Sequence, residues 1–153
     1  MHAAAFLVVA CGGFLLAVLW MDLMFDVQVL RHRQAAELPE PVLASIAAYY
    51  RRVTTDARPM GHLVGVIMLL ALGLLIAQLV MDPARRWAAA ASLPFCAGPV
   101  LLALLRVVPA AVRLGSRAGT LSQQRDLARS ICRDHLICFG GILAFILLQA
   151  FVQ

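Results

Sequence analysis

The chain reads as an all-α integral membrane protein: a four-transmembrane-helix bundle with a cytoplasmic amphipathic helix between the first and second spans. Three observations predict this. Apolar stretches fall near residues 4–21, 61–81, 87–112 and 136–152, each close to the ~20 residues that a helix rising ~1.5 Å per residue needs to cross ~30 Å of hydrocarbon. Of 153 residues, 63% are hydrophobic and only 14% charged, with a mean hydropathy of +0.88, more apolar surface than a water-soluble domain can hide. Eleven of the thirteen Arg lie within 22–62 or 106–135, so the charge is gathered at one end of the bundle.

The stretches are rich in Leu, Ala and Gly without period-2 alternation. Backbone in lipid must satisfy its own hydrogen bonds, which makes these helices rather than barrel strands. A single transmembrane domain is expected over 1–153, with spans near 4–30, 59–81, 87–113 and 122–152 and a surface helix near 42–55. The first and last helices run on into the cytoplasm.

The net charge of +5 comes from Arg beside the spans, which sets orientation rather than nucleic-acid binding. The positive-inside rule puts both long connections in the cytoplasm and both termini outside, in the periplasm of a bacterial inner membrane. No Lys or Arg precedes the first apolar run, which continues past Cys11; it reads as an uncleaved helix, not a signal peptide. Cys11, Cys96, Cys132 and Cys138 read as buried thiols rather than a disulfide framework.

Along the chain, Trp20 suits an interface, and Glu37-Leu38-Pro39-Glu40-Pro41 within a linker at 34–41 stops the first helix. Residues 42–55 form an amphipathic helix along the cytoplasmic surface, with Val42, Ile46 and Tyr49 or Tyr50 toward lipid or protein. Pro59 suits the first turn of the second span. Pro94, Pro99 and Pro109 should kink the third, and Thr120-Leu121-Ser122-Gln123 resembles a capping box that opens the last helix. Arg58-Pro59-Met60-Gly61-His62-Leu63 and Arg133-Asp134-His135-Leu136 form a faint echo at the openings of the second and fourth spans; a duplication and chance account for it equally well.

Asp22 and Asp26 sit four apart, about 40° apart on one helical face that continues through Cys11, Leu15, Val18, Val29 and Arg33 and should face the bundle. Ionisable groups at the edge of hydrocarbon are costly unpaired. Their candidate partners at that depth are Arg58, His62, Arg106, Arg133, Asp134 and His135. One reading is purely structural, with acids and Arg locking helix ends together. A second, the leading reading, makes the N-termini of the second and fourth helices, with Arg58, Arg106, Arg129 and Arg133, an anion site within a pocket for a small anionic or amphipathic, lipid-like ligand lined by Asp22, Asp26, Arg58, His62, Arg106, Arg133, Asp134 and His135; anionic-lipid anchoring would use the same Arg residues.

A third reading is a membrane-embedded enzyme on a lipid-like substrate, with Asp22 or Asp26 as general base and His62 or His135 as acid or metal ligand. Imidazole and carboxylate suit iron, zinc or manganese. Spacing gives no support, because Asp134 and His135 point about 100° apart and Cys132-x-x-His135-x-x-Cys138 spreads over about 120°. Haem between His62 and His135 is geometrically conceivable, but the expectation is no cofactor. The fourth reading is a proton-coupled transporter or channel protomer, which at this size would work as a homo-oligomer. Gly12-Gly13, Gly61-x-x-x-Gly65 and Gly140-Gly141 would allow the close helix contact it needs. No nucleophile elbow, P-loop or dinucleotide fingerprint is present.

Overall fold

In a computed structural model, residues 2–32 and 38–151 are described, and these are helical throughout apart from short turns. Four helices are long and apolar enough to cross a membrane. α1 (His2–Asp26) is extended by a single turn, α2 (Gln28–Arg31); α3 (Glu40–Arg51) follows, then a π-helical turn Arg52–Asp56 and α4 (Arg58–Met81). α5 (Arg86–Leu102) passes through a second π-helical turn, Ala103–Val107, into α6 (Val108–Gly115), and α7 (Leu121–Phe151) closes the chain. Residues 34–37 of the linker lie outside the described residues. Pro41 sits in the first turn of α3, so it starts that helix, where its missing N–H costs nothing.

The long helices pack in a ring: α7 against α1 and α5, and α4 against the same two. α7 makes this possible with a buried stripe of Gln124, Ala128, Ile131, His135, Cys138, Ile142, Phe145 and Gln149. These positions alternate spacings of four and three, the 3.5-residue period of a coiled-coil seam. Cys11, Leu15 and Asp26 on α1 and Val29 on α2 are buried, the face expected to look inward. A Cβ at Gly141 would meet Pro99 Cγ at 2.6 Å, so only glycine lets α7 approach the proline-bearing face of α5.

Prolines shape the third span as their chemistry requires. Pro109 lies in the first turn of α6, directly after the π-helical turn; a proline ring crowds the carbonyl four residues earlier, and widening the helix there relieves it. The last helix opens as the capping box predicts: Gln123 N–H donates to Thr120 Oγ1 at 3.3 Å and Thr120 N–H to Gln123 Oε1 at 3.0 Å.

Two apolar cores result. One lies among the spans around Leu15, Leu75, Cys96, Ile142 and Phe145. The other lies at the charged end, where Leu43, Ile46 and Ala47 of α3 meet Ala111 and Leu114 of α6 and Ala128 and Ile131 of α7. The amphipathic helix therefore packs its apolar face on protein. Gly115 permits this seating, because a Cβ there would lie 2.6 Å from Arg51 N. Arg117 pairs with Glu40 across the same junction. All four cysteines are buried thiols.

Candidate functional site

The charged end holds an interlocked set of side chains from α1, α3 and α7. Asp26 is fully buried and accepts from Tyr50 Oη at 2.7 Å through Oδ1, while His135 Nδ1 lies 2.6 Å from its Oδ2. Asp22, one helical turn earlier, accepts from Tyr49 Oη at 2.6 Å. His135 Nε2 faces Asp22 Oδ2 at 3.7 Å, and Tyr50 Oη is 3.3 Å from His135 Nδ1. Tyr49 also stacks on Phe25, with ring centroids 4.0 Å apart and planes 11° apart. Adjacent tyrosines on α3 thus reach acids one helical turn apart on α1.

Burial, the Asp22 and Asp26 charges and the hydrogen bonds hold both phenols well above the usual tyrosine range, burial being the largest cause in each. They are donors at any ordinary pH.

A second set adjoins the first through the chain itself. Asp134, buried next to His135, is gripped by Arg106 Nε at 3.3 Å and by Arg133 at 3.0 Å. Both guanidinium side chains are more than half exposed, whereas the carboxylate is not. Arg106 comes from the π-helical turn, so this pair ties the end of the third span to α7.

The structure thus brings Asp22, Asp26, Arg106, Arg133, Asp134 and His135 together, and adds Tyr49 and Tyr50. Arg58 and His62 stand apart and exposed. On α4, Met60, Gly61, Val64 and Met68 line a cavity beside the cluster and Ala71 and Leu75 are buried, whereas His62 is rotated about 100° away from Gly61 and is absent from both sets. The echo between His62 and His135 therefore has no counterpart in geometry, and the two do not frame a metal or haem. Among the described residues no three His, Cys, Asp or Glu side chains gather as a ligand set.

The anion pocket expected of the Arg residues also takes a different form. Arg106 and Arg133 are engaged by Asp134, and Leu121, which opens α7, stands fourteen residues before His135, about 20 Å along the helix. Its N-terminal dipole does not reach the cluster. Of the acids and histidines named for general acid–base chemistry, Asp22, Asp26 and His135 come together, with both ring nitrogens of His135 facing carboxylates.

Beside the cluster lies a cavity of about 390 Å³, walled by Leu15, Val18, Val64, Val100 and Ile142 among others. Its polar end is formed by Asp22, Tyr49, Tyr50, Thr54 and His135, and among the described residues no Arg lines it.

Sequence reasoning took Tyr49 and Tyr50 for packing residues. Two features pointed to more: they are the chain's only tyrosines, and a phenol buried on an amphipathic helix needs a polar partner.

The family model of the SHR3 chaperones, described as ER membrane protein SH3, matches residues 1–150. The chain belongs to this family. No curated protein and no solved structure matches it. Membership corrects the expectation of a bacterial inner membrane with periplasmic termini, because the family is one of ER membrane proteins. Hydropathy and Arg bias look alike in the two membranes, so the sequence reading had no means of separating them.

Proposed function

We propose that this protein is an assembly factor for other membrane proteins in the ER membrane, the role that a chaperone family name implies. The carrying observation is the family match over nearly the whole chain. It favours the assembly reading over the pocket for an anionic ligand that composition first suggested.

The distribution of burial supports it. In α7 the most apolar 18-residue stretch is 39% buried, against 11% in α4. α4 belongs to the ring yet leaves Val66, Leu69, Ile76 and Val80 outward. Among lipids such a face can exchange acyl chains for another helix at little cost, since helix association there rests on packing rather than on hydrophobic transfer. Apart from His135 Nε2 and Asp22 Oδ2, which face each other at 3.7 Å, the side chains that make up the cluster bond to one another, which suits a rigid platform. Arg bias puts that platform on the cytosolic face.

Depletion from cells tests the reading. Newly made multispanning proteins should accumulate in the ER in aggregated form, while soluble secretory proteins leave at their normal rate. Normal export of every multispanning protein examined would contradict it.

A further inference from the structure

We infer that the 390 Å³ cavity is a binding site for an amphiphile with a cationic, hydrogen-bond-donating head, such as a primary alkylammonium. The volume lies within the ~300–1,000 Å³ of small-molecule sites. Its walls are apolar from Leu15 on α1 to Ile142 on α7. The cavity reaches the surface of the bundle, because its lining residues Met21, Met60 and Val108 are also exposed. An apolar chain would enter there from the bilayer.

The polar end selects the head. Of the charged side chains among the described residues, only Asp22 and His135 line the cavity; with Nδ1–H of a neutral imidazole donating to Asp26, the lining carries the Asp22 charge and Nε2 is an acceptor. Asp134 and its two Arg partners lie outside the lining and pair with one another. Asp22 Oδ1 is used by Tyr49, but Oδ2 is 3.7 Å from His135 Nε2, beyond hydrogen-bond length. Nearly buried, His135 thus presents a ring nitrogen without a hydrogen bond at the cavity's polar end, beside a carboxylate oxygen with room for another donor. An ammonium there would complete the set, and buried charges are stable only when paired. An anionic head would meet like charge. The inference does not rest on the assembly role.

Native mass spectrometry of the full chain from maltoside micelles, titrated with decylammonium, decyl sulfate and decanol, tests it. Decylammonium should bind at least about tenfold more tightly than decyl sulfate, the ratio expected of one charged hydrogen bond. Asp22→Asn should remove that preference. Since this change touches a bonded acid, Gly61→Leu provides a second arm: Gly61 lines the cavity and a Cβ there meets nothing within 4 Å, so leucine should take up cavity space and weaken decylammonium binding about tenfold, with helicity and unfolding midpoint in detergent read alongside. Equal affinity for the three heads, or decylammonium binding indifferent to Gly61→Leu, would overturn the inference.

Discussion

Tyr50 and Tyr49 carry the junction between α3 and α1, each through a single phenol donating to a carboxylate. A charged acceptor makes such a bond worth about 1.5–3 kcal/mol, and a buried carboxylate left without it has no water to turn to. Both phenols are held above their ordinary value in the fold, whereas an unfolded tyrosine titrates near pH ~10. A raised folded value means that this stability is fully present below pH ~10 and is lost as pH climbs beyond it, because the unfolded chain then releases protons that the fold retains. In spectrophotometric titration the protein should show no tyrosinate absorbance as pH passes ~10, and both phenols should ionise together when the helices unfold. Ionisation of either tyrosine near pH ~10 with helicity intact would place it in water, contrary to the geometry.

At the scale of elements, the helices were legible where a single helix carries its own evidence. Long apolar runs, the inward stripe on α1 and the reciprocal Thr120–Gln123 cap all depend on residues within a few turns of one another. What was not legible depends on rotation and docking. His62 and His135 open their spans in similar sequence, but only α7 turns its histidine inward. The contact of Tyr50 with Asp26 joins positions 24 apart through a linker whose path sequence does not fix.

Close approach is equally hidden. Of the glycine pair on α7, Gly141 lies against Pro99 and Gly140 faces open space. Gly141→Val should cost about 1–3 kcal/mol through overpacking, read as a lower unfolding midpoint in detergent. Gly140→Val should leave that midpoint nearly unchanged. Equal effects would mean that α5 and α7 are not seated on Pro99.

The whole molecule divides its helices between two tasks. α1, α5 and α7 bury acids, prolines and sulfur among themselves, and α3 and α6 fasten their charged end with a small core of their own. α4 closes the ring but gives most of its surface outward. Composition alone announced a membrane protein and left its membrane and its purpose open, because hydropathy measures a helix against lipid and says nothing of which protein replaces the lipid. Family membership supplies the membrane that hydropathy leaves open, and the division of burial leaves α4 the least buried of the four spans.

The most direct measurement is site-specific photo-crosslinking in ER membranes during synthesis of a multispanning protein, with the probe at Leu69 or Ile76 on the outward face of α4 and at buried Ala71 as control. The assembly role predicts adducts with the nascent protein from Leu69 and Ile76, and none from Ala71. Adducts with lipid alone from every position would contradict it.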